Sequence, residues 1–184
     1  MQTPVARRTM TAEAFEQYVA LPENADRRPE LIEGAVYELV SDSYASETGA
    51  LLLGLILQFV RAHGLGRVTG ADGGYEVAGN RFIPDVAFIS TARQPQRPRT
   101  AWNPLAPDLA VEVLSPGNSD EEIRMKVGSY LYAGTTVWIV DLERRRVEVY
   151  PPGKPPFSAG MQDTLSGGDV LPGFTLAVTE IFPE

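Results

Sequence analysis

Asp85 in FIPDVAFIS and Glu112 in LAVEVLSP each place one acid inside a run that is otherwise apolar. A carboxylate buried in a strand without a partner costs several kcal/mol, so each needs a cation, a donor network or an exit to solvent. If the two strands are neighbours, as consecutive strands often are, both carboxylates point from one face and share an ion. Carboxylate oxygens are hard ligands suited to Mg2+ or Mn2+. The competing reading pairs each acid with an arginine or sets it at a strand end. Fourteen residues after Glu112 comes Lys126, in NSDEEIRMKVGSYLYAGT. Ile123, Val127, Tyr130 and Leu131 mark the inward stripe of a helix there, and at about 100° per residue Lys126 falls on its margin. From that margin an ammonium can lean toward the acids and steady a polarised phosphate. The alternative is a lysine snorkelling off the edge of a buried face.

The rest of the inventory is narrow. There is no cysteine and one histidine, His63, which excludes thiol nucleophiles, thiolate zinc sites and disulfides and leaves a Ser-His-Asp triad only His63 to use. His63 stands in RAHGLG, where a helix ends and its dipole favours an imidazole. The net charge of −8 argues against a broad electrostatic footprint on a polyanion. A compact basic patch is still compatible with it, built on Arg93, Arg97 and Arg99 or on Arg144, Arg145 and Arg146. Trp102, beside the first group, is a candidate for stacking on a base, whereas Trp138 in VWIVD reads as core. Asp141 most simply begins a turn.

These side chains need a frame, and the patterning supplies one. MTAEAFEQYVAL reads as a helix capped by Thr11, with Phe15, Tyr18 and Val19 on its apolar face, after a flexible N-terminus over residues 1–10. RPELIEGAVYELV reads as a hairpin around Glu33 and Gly34, with Gly34 suited to a positive φ. Residues 46–63 are apolar on nearly every side and predict a helix inside, against a sheet. RVTGA, GYEVAG, RFIPDVAFIS and PDLAVEVLS read as strands, the last two as central strands covered on both faces. The helix carrying Lys126 is capped by Ser119 or Asp120 and stopped by Gly134. TTVWIVDL and RRVEVYPP are further strands, and DTLSGGDVLPGFTLAVTEIF is a loop with a closing strand. With 43% hydrophobic and 22% charged residues, the 184-residue chain has the composition of a soluble domain, expected over 11–184. The longest apolar run, residues 50–57, is too short to cross a bilayer, and residues 1–10 lack the apolar core of a secretory signal. The expectation is a cytoplasmic protein with no membrane partner.

Taken in order, PDVAFI, DLAVEVLSPGNS, the lysine of the next helix, YLYAGTTVWIVD with VEVY after it, and LPGF near the end resemble the Uma-two family of endonucleases. That family belongs to the restriction-endonuclease-like PD-(D/E)xK superfamily, and the resemblance spans residues 11–182. It implies an α/β fold with a restriction-endonuclease-like core, a central mixed sheet flanked by helices, and an added N-terminal helix and hairpin. The implied core order is helix, three strands, helix, strand. It also implies that Asp85 and Glu112 bind Mg2+ or Mn2+, and that the substrate is nucleic acid, DNA before RNA. The position two after Glu112 is Leu114, where the superfamily pattern expects lysine. The resemblance assigns that role to Lys126, a variant the family itself uses. Relatives commonly carry a histidine near the start of the buried helix, where this chain has Ser46 and Glu47. Glu47 shares a face with Leu51, Gly54 and Leu55 and is an accessory candidate for the metal's outer shell. Ser115 is a second, as a donor to a phosphate or water. The expected function is a Mg2+-dependent endonuclease, with a homodimer left open as its assembly. The alternative is a non-catalytic interaction or regulatory module on the same fold.

Overall fold

Thr11 accepts the amide of Ala14 and so opens α1 (Ala12–Val19), whose Phe15 is fully buried. The computed structural model describes residues 9–38 and 42–182. The expected flexible N-terminus therefore lies, through residue 8, outside the described residues, as do Leu39 and Val40 at the end of the expected hairpin. The hairpin itself forms from β1 (Pro29–Ile32) and β2 (Ala35–Glu38). Its turn residues Glu33 and Gly34 both take positive φ, 49° and 76°, as a tight two-residue turn requires.

Asp42 accepts the amide of Ala45, so α2 (Ser43–Ala62) starts three residues earlier than the apolar pattern alone suggests. By length and composition α2 is long enough and apolar enough to cross a membrane, a property that the run over 50–57 understates. It is not buried all round, however. One stripe of Ala45, Gly49, Leu52, Ile56 and Val60 packs on the sheet, while Leu51 faces out. His63 ends the helix with Nδ1 at 2.9 Å from the Phe59 carbonyl, as expected of a terminal imidazole.

Strands β3 (Gly66–Gly70) and β4 (Gly74–Val77) follow. The next run, RFIPDVAFIS, was expected as one strand and is two: β5 (Asn80–Phe82) and β6 (Val86–Ser90), which lie in different sheets. Pro84 has no N–H to give a ladder, and the chain changes sheets around it. Next come β7 (Trp102–Asn103), β8 (Leu109–Val113) and α3 (Asp120–Tyr132), with Ser119 as cap and Gly134 at φ 75° as stop. The chain closes with β9 (Thr136–Asp141), β10 (Arg146–Tyr150), β11 (Phe157–Ala159) and the small pair β12 (Thr164–Ser166) and β13 (Thr175–Ala177).

The main sheet has the order β11-β10-β9-β8-β6-β3, with β8 and β9 parallel. A second sheet, β2-β1-β5-β4-β7, carries the hairpin. Period-two alternation divides the main sheet's residues between two cores. Val86, Phe88, Val111, Val113, Trp138 and Val140 pack with α2, whereas Ala87, Ala110, Val137 and Ile139 pack with α3 and Phe82. Glu112 lies between Val111 and Val113 and so belongs to the α3 side. Trp102 is 9% exposed, its ring centroid 5.8 Å from that of Phe15, and it fills a small core with Leu31. That packing removes Trp102 as a candidate for stacking on a base, and Trp138 is core as expected.

Candidate active site

The register of β6 on β8 runs Val86 to Val111 and Ala87 to Ala110. Asp85 is the residue just before β6, where that ladder ends, and it lines the same cavity as Glu112. Asp85 Oδ2 accepts the amide of Val113 at 2.7 Å, and α2 passes so close that a side chain on Gly49 would lie 3.6 Å from the Asp85 Cβ. Burial and the neighbouring Glu112 charge push the Asp85 carboxyl up to about 6.

Glu112 is 7% exposed and is held from α3 at both oxygens. Tyr130 Oη donates to Oε1 at 2.8 Å and Lys126 Nζ to Oε2 at 2.7 Å. The two donors sit at i and i+4, one turn apart on one helix face. Burial and the Glu112 charge raise the Tyr130 hydroxyl well above its ordinary range, so it stays protonated and donating.

Lys126 is not on a margin: it is 2% exposed. Burial disfavours its charge, but Glu112 and Glu30 outweigh that and raise its pKa. Its second partner is the residue that sequence reasoning missed. Glu30 on β1 is 0% exposed, with Oε1 and Oε2 at 3.1 and 3.0 Å from Lys126 Nζ. The Ile83 amide completes its shell at 2.5 Å, and Phe82 lies beneath the ammonium, 5.6 Å from Nζ to the ring centre. Burial and the Glu112 charge push Glu30 up to about 7 despite Lys126. The signal was present in PELI, an acid inside a fully buried strand, by the criterion that singled out Asp85 and Glu112.

Asp85, Glu112, Lys126 and Ser115 line one cavity of about 280 Å3, together with Arg28 and Asn118. Ser115 Oγ donates to Asn118 Oδ1 at 3.1 Å within the turn that leads into α3. Glu47 is exposed on α2 and lies outside that lining. Among the described residues no three acidic, histidine or cysteine side chains form a ready cage for a metal. The donor set nonetheless fits a hard cation such as Mg2+, which commonly takes one or two carboxylates and fills its other positions with water and phosphate. The mutual repulsion of Asp85 and Glu112 is what such an ion would cancel.

The basic clusters are mostly structural. Arg93 pairs with Asp108 at 3.0 Å and donates to the carbonyls of Ala106, Pro107 and Gly134. Arg144 pairs with Asp141, whose Oδ1 accepts the Arg144 amide in the expected turn, and Arg145 donates to the Phe182 carbonyl. Arg146 pairs with Glu148. Arg93→Ala should therefore lower stability by roughly 1.5–3 kcal/mol, the worth of charge-assisted hydrogen bonds. It should leave any affinity for nucleic acid as it was, and paired urea melts and binding titrations check both halves.

The sequence model of the Uma2 family, described as "Putative restriction endonuclease", matches residues 15–179. No curated protein matches the chain. Among solved structures, it is similar to a "putative nuclease belonging to DUF820" from Anabaena variabilis ATCC 29413. The TM-score is 0.82 and the identity 20%, over 94% of this chain and 97% of that one. The fold is thus restriction-endonuclease-like, with the order α2, β3, β6, β8, α3, β9 providing the helix, three strands, helix and strand of the expected core.

Proposed function

The chain belongs to the Uma2 "Putative restriction endonuclease" family, and on that premise we propose that it is a metal-dependent endonuclease that hydrolyses phosphodiester bonds of nucleic acid, DNA before RNA. The observation that carries this reading is the meeting of Asp85, Glu112 and Lys126 at one cavity. Asp85 and Glu112 are the residues that would hold Mg2+ or Mn2+. A bound ion supplies Lewis acidity and a water of lowered pKa.

The chain's own groups do the rest. Val113 N–H fixes Asp85, and Tyr130 and Lys126 fix Glu112, so neither carboxylate has to be ordered when an ion arrives. Lys126 lines that cavity with Arg28, and by giving up one carboxylate contact its ammonium would oppose the charge that develops on the phosphate. Hydrolysis consumes one water and breaks one P–O bond, leaving a phosphomonoester and a hydroxyl end.

The test is cleavage of supercoiled plasmid with Mn2+ at low salt, since an acidic protein binds DNA weakly. Nicked and linear products that need both metal and Lys126 are expected. A non-catalytic module is the second reading, favoured by one observation: the Lys126 ammonium already makes three contacts, two to Glu30 and one to Glu112. Absence of cleavage with every divalent metal selects it.

Proton competition gives a further expected result. An ion and a proton compete for Asp85, whose carboxyl titrates at about 6. Affinity for Mn2+ should be nearly full at pH 7.5 and roughly tenfold weaker at pH 5, measured by calorimetry or by the shift in Tm with metal. Equal affinity at both pH values would place the ion away from Asp85.

A further inference from the structure

A second cavity adjoins the first. It measures about 380 Å3 and is lined by Arg67, Thr69, Tyr75, Arg97, Thr100 and Asn103, which puts it in the roughly 300–1,000 Å3 range of ligand pockets. The two cavities meet at the β3–β4 turn, where Ala71 lines the first and its neighbour Asp72 lines the second. Arg28, on the first, bonds Asp72 at 2.9 Å across the junction.

Charge in the second cavity is unbalanced. Asp72 is the only carboxylate in its lining, and Arg28 takes it. Arg67 reaches in from β3 and donates to the Gln94 carbonyl at 2.9 Å and to Gln94 Oε1 at 2.6 Å. Those acceptors are neutral: they fix the guanidinium without cancelling its charge. Arg97 is exposed on the loop after β6. Among the described residues neither Arg67 nor Arg97 forms an ion pair. Beside them the hydroxyls of Thr69 and Tyr75 stand 3.0 Å apart. Two guanidiniums, one of them held rigid, are a donor set for a phosphate, and the hydroxyl pair leaves at most one further O–H to add to it.

We propose that this cavity is an anionic subsite for a backbone phosphate of the strand whose scissile phosphate lies at Asp85 and Glu112. The proposal rests on the nuclease reading and deepens it. The strand crosses the Ala71–Asp72 turn, so the subsite holds a phosphate flanking the cut. A chain of net charge −8 thereby grips a polyanion through a short cationic track rather than a broad basic face.

The test is binding of a labelled duplex oligonucleotide to the full chain in EDTA, followed by fluorescence anisotropy across a salt series. Arg97 is exposed, so Arg97→Ala should fold normally; Arg67→Lys keeps the charge and removes the fork. Arg97→Ala is expected to weaken binding roughly tenfold at low salt and to lower the slope of log K against log salt by about 0.9. Arg67→Lys should weaken it in the same direction. Arg124→Ala, on the outer face of α3, should change neither quantity. Wild-type affinity and slope in Arg97→Ala, or an equal loss in Arg124→Ala, overturns the subsite. Inorganic phosphate that binds in an Arg97-dependent way, while the oligonucleotide ignores Arg97, makes this a free-phosphate site and also overturns it. Plasmid cleavage is read separately. Arg97-dependent binding without cleavage by any metal keeps the subsite and removes the nuclease reading; cleavage with unaltered Arg97→Ala binding does the reverse. A wild type that binds no oligonucleotide overturns the subsite, and the nuclease reading then stands or falls on plasmid cleavage alone.

Discussion

Lys126→Met should cost about 3–5 kcal/mol of stability at pH 7.5, the range seen when one partner of a buried ion pair is removed. Methionine keeps most of the stem's volume, so the loss is electrostatic: Glu30 and Glu112 stay buried with no cation between them. A lysine snorkelling off a helix margin would predict almost no cost, and the 2% exposure of Lys126 is what reverses that expectation. The pH dependence follows from Glu30. Its folded carboxyl already lies at about 7 with Lys126 present, above the unfolded value of about 4.3. The folded state therefore binds the extra proton, and stability rises as pH falls from about 7 toward about 4.3. Removing Lys126 takes away a group that lowers Glu30, so the variant should recover more stability on acidification than wild type does. Lys126→Met with Glu30→Gln should regain over half the loss at pH 7.5. Urea melts at two pH values measure all of this, and a single variant within about 1 kcal/mol of wild type would mean that the triad is not closed.

Asp85→Asn should reduce cleavage by roughly a thousandfold, about 4 kcal/mol of barrier, because an amide is a poor ligand for a hard divalent ion. The fold should not suffer. Asparagine Oδ1 can accept the Val113 amide as Asp85 Oδ2 does, and the variant lacks the charge that burial and Glu112 disfavour. Above pH 6 the metal-free variant should thus be as stable as wild type or more so, while Mn2+ no longer raises its Tm. The increment lost is about 2.7 kcal/mol at a hundredfold excess of metal over Kd. Unchanged metal response in Asp85→Asn would move the ion elsewhere, and a large loss of metal-free stability would make Asp85 a structural acid.

Much of this was legible in the chain. Alternation and apolar density located β6, β8, β9 and α3, and an acid in an apolar run marked Asp85 and Glu112. What stayed hidden depends on contacts between distant segments. PELI was legible as a hairpin arm, but nothing local says that β1 docks with Glu30 against α3, because its partner Lys126 lies 96 residues away. RFIPDVAFIS was legible as β-rich, yet its division between two sheets turns on how the chain leaves Pro84. Lys126 was placed on a helix margin by phase alone, which ignores that a second sheet covers that flank. Trp102 looked available because loops are usually exposed, whereas the α1 residue Phe15 closes over it.

The division of that run between two sheets has a consequence for biosynthesis. Glu30 reaches its ammonium across 96 residues and the Ile83 amide across 53, whereas Glu112 lies 14 from Lys126. Loop closure of such different lengths, and the slowness of non-local pairing, orders their formation. On the ribosome Glu30 emerges long before the helix that will neutralise it, and it remains hydrated until α3 has been made. The docking of the hairpin is then a late step of folding. Until it occurs Lys126 has Glu112 as its one anchor, so a chain caught at that stage holds both acids of the cavity beside a cation tied down from one side only.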